Sequence, residues 1–188
     1  KAATDQNLKI QLIIMLSLTT IQAGIAVGST ALCAHSYVHY NPWDTSTDLK
    51  HKYQPVIIAT LLHLLLYFIF LFHQSCSGFV QKAVLTAKAK KEGEKPPSLT
   101  SIKYGKAGGI AILRADRAAG NMIEQSIPFL FALWMHAIFV DPVSAANLGF
   151  LWLAIRSFYP LVFGRGAFLF LVTVPNYMII FGLVYPLI

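Results

Sequence analysis

The sequence is short of charged side chains. Asp, Glu, Lys and Arg make up only 12% of its 188 residues, whereas soluble domains average about 25%. Hydrophobic residues account for 56% of the chain. So few charges could not cover the surface of a soluble domain of this size. The composition therefore excludes an ordinary soluble protein and predicts an integral membrane protein.

Cysteine is scarce as well. The two cysteines, Cys33 and Cys76, each lie in or beside an apolar run. They have neither the spacing of a zinc site nor the density of a disulfide framework, so both are interpreted as small buried side chains. The chain also lacks a phosphate-binding loop and a serine-triad context. Strand-like alternation does not persist, which argues against a membrane barrel.

Long apolar runs are abundant. A membrane-spanning helix needs about 20 mostly apolar residues, because the hydrocarbon core of a bilayer is about 30 Å thick. Five segments meet this requirement, at roughly 8–35, 55–77, 113–140, 143–164 and 166–188. The predicted fold is an all-α membrane protein with five spans.

Prolines and glycines mark the ends of the later spans. Asp141-Pro142 and Gly164-Arg165-Gly166 are short turns, so the last three helices should pack as antiparallel neighbours. Three late prolines should kink or end helices four and five. They are Pro160, Pro175 and Pro186.

The connections carry most of the polarity. Segment 36–54 contains a turn with an interfacial aromatic residue, Asn41-Pro42-Trp43-Asp44. Segment 78–112 carries seven lysines, against two in the first connection. By the positive-inside rule it faces the cytoplasm, the stroma or the matrix. Its first half, 78–91, is a candidate extension of helix two. The net charge of +7 is thus mostly a topology signal, and a nucleic-acid partner is not expected.

The third helix carries a polar stripe. At about 100° per residue, four side chains fall within an arc of roughly 80°. They are Arg114, Arg117, Asn121 and Glu124. Charges inside a membrane helix are costly and usually face a bundle interior or a watery cavity. The same spacing predicts a different face for Asp116. The stripe either binds a small anionic or zwitterionic ligand, or it forms ion pairs between Arg117 and Glu124 of neighbouring subunits.

Helix four repeats this pattern more sparsely. Arg156, Tyr159 and Phe163 share a face by the same spacing. Arg156 is too far from the turn to be a simple interfacial anchor. It either lines the same polar cavity or is a paired or snorkelling arginine.

Histidines and small residues in the apolar helices leave further interpretations open. His63, His73 and His136 are candidate ligands for a haem iron or a chlorophyll magnesium, or they hydrogen-bond to neighbouring helices. Gly24 and Gly28 form a Gly-x-x-x-Gly that permits close helix approach.

The pattern Arg-x-x-Arg-x-x-x-Asn-x-x-Glu-x-x-x-Pro-Phe-Leu-Phe, which begins at Arg114, resembles the second-helix motif of the MAPEG family. These are membrane-associated proteins in eicosanoid and glutathione metabolism. The spacing is similar to that of the microsomal glutathione transferase branch, and Arg156-x-x-Tyr159 resembles a second family pattern. The resemblance covers about residues 55–188, so residues 1–54 are predicted to form an additional N-terminal transmembrane helix and loop.

The resemblance implies a four-helix subunit that assembles as a homotrimer and binds glutathione at the subunit interface. Arg114, Arg117, Asn121 and Glu124 would hold the charged ends of glutathione. A nearby arginine or hydroxyl would activate the thiol as a thiolate, and the catalytic candidates are Arg156, Tyr159 and Arg165. The substrates would be lipophilic molecules from the surrounding membrane lipids, and an endomembrane of the ER type is then the expected location.

Departures from the family pattern favour an alternative. Gly120 stands where transferases commonly place a basic residue, and Phe163 where they place a tyrosine. Arg165 lies in a very short connection. The alternative is a non-catalytic, MAPEG-derived subunit that has a structural or pigment-binding role in a photosynthetic or respiratory membrane complex. A removed transit peptide would place it in a thylakoid or mitochondrial inner membrane. The sequence leaves open whether the protein is an enzyme.

Overall fold

The computed structural model describes residues 9, 16, 20–32, 34–35, 49–105, 108–163 and 165–188, with the backbone alone at residue 111. This part of the chain is almost entirely helical and contains no β-strand. The α-helices, in chain order, are α1 Thr20–Leu32, α2 Leu49–Glu92, α3 Leu99–Tyr104, α4 Gly109–Phe139, α5 Pro142–Ser157, α6 Tyr159–Val162 and α7 Phe170–Val184. Short 3-10 turns at Gly166–Leu169 and Tyr185–Leu187 flank α7.

Four stretches are long and apolar enough to cross a bilayer. They are Leu49–Glu92, Ile112–Phe139, Pro142–Val162 and Gly166–Leu187. They match the last four predicted spans, and α1 is a shorter apolar helix in front of them. The prediction of an all-α membrane fold, a four-helix bundle with an additional N-terminal helix, is confirmed. The full length of the first span, Cys33 and the predicted turn at 41–44 lie outside the described residues.

The second helix is longer than its apolar run. It begins at Leu49 and continues through Pro55, which therefore lies inside the helix, and it ends at Glu92. The lysine-rich extension over 78–91 is thus helical. Gly93 ends α2 with φ 72°, a left-handed conformation that costs glycine little. The Glu94 N–H then donates to the Ala89 carbonyl over 2.9 Å, which closes the helix end.

The last two spans contain the breaks that their prolines predict. Helix α5 stops at Ser157, and Pro160 lies in the first turn of the short α6. Pro186 lies in the final 3-10 turn. Helix α7, by contrast, continues through Pro175. Asp141 caps α5, where its Oδ2 accepts a hydrogen bond from the Ser144 N–H.

The core forms where α2 and α7 each pack against α4 and α5. The Phe129 and Trp152 rings stack with centroids 4.0 Å apart, and both side chains are fully buried. Trp134 Nε1 donates to Thr60 Oγ1 over 3.2 Å and links α4 to α2. Helix packing inside a bilayer depends on such close contacts and interhelical hydrogen bonds, because lipid supplies little hydrophobic driving force.

The glycines of α5 and α1 differ in how closely neighbouring helices approach them. A Cβ atom at Gly149 of α5 would lie 2.9 Å from Leu133 Cδ1 and 3.4 Å from Ala59 Cβ, so α5 approaches α4 and α2 closely there. Gly24 and Gly28 instead line a groove between α1 and Leu62 of α2. No described atom lies within 4 Å of a Cβ built at either position. The Gly-x-x-x-Gly therefore makes no close helix contact within the described part of the chain.

Candidate functional site

A cavity of about 480 Å³, called the polar cavity, opens beside the N-terminal half of α4. Its lining consists of Asp116, Arg117, Gly120, Asn121, Glu124, Tyr159 and Phe163. Helix geometry places Asp116 about 6 Å and Glu124 about 18 Å along the axis from the start of the span at Ile112. The polar cavity thus runs from the side of the basic connection towards the middle of the span.

The predicted stripe is brought together in part. Arg117, Asn121 and Glu124 line the polar cavity, while Arg114 is half-buried and lies outside its lining. Arg117 and Glu124 are exposed on the surface of the single chain. Helix α4 therefore carries charged side chains at membrane depth that the described part of the same chain does not bury.

Asp116 also lines the polar cavity, although helical spacing assigns it to a different face than the stripe. The lining also includes Gly120, so the cavity extends further around α4 than the predicted arc. Gln74 of α2 reaches this edge, and its Nε2 donates to Asp116 Oδ1 over 2.8 Å. The position of a neighbouring helix, which spacing along α4 cannot give, decides which charges share the site.

Arg156 lies behind the cavity lining and is fully buried. Its Nη2 donates to Asn121 Oδ1 over 2.8 Å, and its Nη1 donates to Gln125 Oε1 over 3.2 Å. A guanidinium can only donate, so the oxygen of each amide must face it. The amide nitrogen of Asn121 is therefore not used by Arg156. Because Asn121 lines the cavity, this nitrogen can donate to a ligand there.

Tyr159 joins this cluster from the start of α6. The Arg156 guanidinium carbon lies 4.2 Å from the centroid of the Tyr159 ring, and 5.7 Å from that of Trp152. Contacts at these distances are favourable cation–π interactions. Tyr159 and Phe163 close one wall of the polar cavity, and their ring centroids are 5.8 Å apart. The Tyr159 hydroxyl is the phenol in the lining.

The remaining catalytic candidate is placed elsewhere. Arg165 is exposed in the turn before the 3-10 helix Gly166–Leu169 and is not part of the cavity lining. Of the three candidates, Tyr159 thus lines the polar cavity, Arg156 lies directly behind it, and Arg165 lies outside it.

The candidate metal ligands differ in their surroundings. His136 Nδ1 lies 2.9 Å from the Leu183 carbonyl oxygen and Nε2 lies 2.8 Å from Ser144 Oγ. His63 is fully buried, with its ring centroid 5.3 Å from that of Phe129 and 5.7 Å from that of Trp152. Both ring nitrogens of His136 are thus engaged, whereas neither ring nitrogen of His63 has a hydrogen-bond partner among the described residues.

His73 is half-buried on α2. All three histidines stay candidate ligands. No group of three or more His, Cys, Asp or Glu side chains suited to a metal ion occurs within the described residues.

The profile of the MAPEG family matches residues 56–184, which is more than half of the chain. The chain belongs to the MAPEG family. No curated protein and no solved structure matches it. The MAPEG match covers all four spans of the bundle and leaves α1 outside, as the resemblance in the α4 motif implies.

Within this MAPEG chain, three polar residues of the site have no place in the motif. Asp116 lines one edge of the polar cavity and accepts a hydrogen bond from Gln74, which is not part of the lining. Gln125 and Asn121 both accept hydrogen bonds from Arg156. Gln125 could have been anticipated, because it follows Asn121 by four residues and so lies on the same side of α4. Gln74 gives no such signal, since a single polar residue in a long apolar helix has many possible partners.

Proposed function

We propose that this MAPEG protein binds glutathione in the polar cavity and transfers it to lipophilic electrophiles from the bilayer. The observation that carries the proposal is the composition of the cavity. A guanidinium, an amide, two carboxylates and a phenol line about 480 Å³ at the side of the basic connection. Glutathione has two carboxylates and one ammonium group, so a lining with both signs of charge fits it.

The roles follow from the chemistry of each side chain. Arg117 can pair bidentately with a carboxylate of glutathione. Asn121, whose oxygen is held by Arg156, donates from its nitrogen. Tyr159 offers a hydroxyl to a thiolate. The chemistry that glutathione would supply is nucleophilic attack by its thiolate on an electrophilic carbon.

A second copy of the chain would complete the site. Arg117 and Glu124 are exposed on the single chain, at positions within a membrane span. Charged side chains that face lipid are costly, and they usually turn towards protein or water. Assembly through this face of α4, as the homotrimer of the family implies, would cover both residues and enclose the polar cavity.

Calorimetric titration of reduced glutathione into the purified protein in lipid nanodiscs tests binding. A conjugation assay with 1-chloro-2,4-dinitrobenzene tests transfer. We expect Arg117→Leu to weaken binding about tenfold or more, because a charged hydrogen bond contributes about 1.5–3 kcal/mol. Arg165→Leu is the matched control, since it removes an exposed arginine outside the cavity. Failure of the unaltered protein to bind glutathione would overturn the proposal.

The second candidate is a non-catalytic MAPEG subunit of a larger membrane complex. The observation that favours it is the scarcity of thiol-activating groups. Arg165 is outside the cavity lining, and Phe163 has no hydroxyl. Glutathione binding without conjugation, together with co-purification of other subunits from the native membrane, would favour this role over the transferase.

A further inference from the structure

The charges that line the polar cavity are unbalanced. Asp116 and Glu124 contribute two carboxylates, and Arg117 contributes the one guanidinium. Arg156 lies behind the lining, where Asn121 and Gln125 take its hydrogen bonds. Of the two carboxylates, Glu124 is exposed on the single chain and Asp116 is half-buried. The cavity therefore offers a negative group that is not balanced by a second positive one in its lining.

The Asp116 carboxylate is held in place. Gln74 Nε2 donates to its Oδ1 over 2.8 Å, from a half-buried position on α2. The Asp116 side chain lines the polar cavity. A carboxylate that is held in place beside a cavity can bind a positive group with little reorganisation.

Gly120 leaves space next to this carboxylate. It follows Asp116 by four residues, so the two lie next to each other on the same side of α4. Gly120 lines the cavity, and apart from its chain neighbours and the nearby backbone of α4, no described atom lies within 4 Å of a Cβ built there. A ligand group can therefore approach Asp116 along the helix surface. Glu124 lies eight residues further on, about 12 Å along the axis, and cannot contact the same group.

We infer that Asp116, positioned by Gln74, is the residue that binds the ammonium group of the ligand and so selects for ligands with a positively charged nitrogen. If the proposed function holds, on which this part of the inference rests, the group bound is the α-ammonium of glutathione. Arg117 and Asn121 then hold the carboxylate groups further along α4.

The test compares three probes in nanodiscs. Glutathione carries the ammonium group, its desamino analogue lacks it, and octylamine carries an ammonium group without any carboxylate. We expect the unaltered protein to bind glutathione about tenfold or more tightly than the analogue, because the analogue loses one charged hydrogen bond to Asp116. Asp116→Asn keeps the size and the acceptor for Gln74 but removes the charge. It should bind glutathione and the analogue equally and lose octylamine binding.

Two further variants separate charge from position. Gln74→Met removes the donor to Asp116 at similar volume and should reduce the preference for glutathione several-fold while the carboxylate stays. Glu94→Gln removes an exposed carboxylate near the same membrane face and should leave the preference unchanged. A thermal unfolding midpoint for each variant checks that the bundle is intact.

The outcomes distinguish the two proposals. Glutathione binding with the same preference over the analogue in Asp116→Asn as in the unaltered protein would overturn the role of Asp116 but not the proposed function. No glutathione binding, with octylamine binding that depends on Asp116, would overturn the proposed function and support the role of Asp116. If no probe responds to Asp116→Asn, the inference is wrong.

Discussion

At the scale of single residues, the site depends on a buried guanidinium. Arg156 holds the side chains of Asn121 and Gln125 from behind the polar cavity, and it packs over the Tyr159 ring. A buried amide oxygen that loses its donor keeps the full cost of its desolvation. Arg156 is therefore expected to affect both the stability of the bundle and the orientation of the cavity lining.

This predicts the effect of Arg156→Lys. A lysine ammonium is a compact donor without the planar fork of arginine, so it cannot reach both amide oxygens from one position. Leaving one of them unsatisfied should cost about 1–3 kcal/mol and lower the thermal unfolding midpoint by several degrees. Glutathione affinity should fall as well, because Asn121 loses its fixed orientation. Thermal unfolding in nanodiscs and calorimetric titration measure the two effects.

Arg165→Lys is the control, since Arg165 is exposed and lies outside the cavity. Equal midpoints and equal affinities for the two variants would contradict the role given to Arg156.

Single residues also show what the sequence could predict. Arg117, Asn121 and Glu124 were predictable because a helix repeats every 3.6 residues, and the structure brings them to one cavity. Asp116 lies outside the predicted arc and yet lines the same cavity. Spacing along α4 could not show this, because the position of Gln74 on α2 is a tertiary feature. The burial of Arg156 was open for the same reason, because its amide partners lie 31 and 35 residues away.

At the scale of elements, apolar runs in the sequence predict where the spans lie. They predict less well where each helix begins and ends. Helix α2 extends beyond both ends of its predicted span, because polar helix formers continue it outside the membrane. The short helix α3 was not predicted. Ser98 caps its N-terminus, where the Ser98 Oγ accepts a hydrogen bond from the Ser101 N–H over 3.1 Å. Local caps of this kind decide short helices within a polar connection.

Close packing of the elements leads to a prediction for Gly149. Replacing it by leucine would place a side chain where a Cβ alone already lies 2.9 Å from Leu133 Cδ1. Overpacking of this kind typically costs about 1–3 kcal/mol, so the thermal midpoint of Gly149→Leu should fall. Gly182→Leu on α7 is the matched control, because nothing lies within 4 Å of a Cβ at Gly182. A midpoint for Gly149→Leu as high as that of Gly182→Leu would show that α5 is not tightly packed there.

At the scale of the whole molecule, the number of spans decides on which side of the membrane each connection lies. Four antiparallel spans place the basic connection between α2 and α4 on the same side as the turn at Arg165, and the Asp141 turn on the other. The start of the polar cavity at Asp116 therefore lies near the basic side. The lysines of that connection attract anions, which would favour the arrival of a negatively charged ligand such as glutathione.

The exposed charges of α4 lead to a prediction for assembly. The alternative to ligand binding by Arg117 is an ion pair between copies. If copies associate through this face, Arg117 of one copy can pair with Glu124 of the next. Reversing one charge would place like charges together at the interface, which costs several kcal/mol. Native mass spectrometry of the unaltered protein should show a trimer. Arg117→Glu and Glu124→Arg should each shift it towards monomers.

The double variant separates pairing from a merely polar surface. Arg117→Glu combined with Glu124→Arg restores opposite charges at the two positions, so it should recover the trimer if the two side chains pair between copies. Lys88→Glu, at an exposed site outside the bundle core, controls for the change in net charge. Trimers that persist in both single variants would show that copies do not meet at this face. The polar cavity would then have to bind its ligand within one chain.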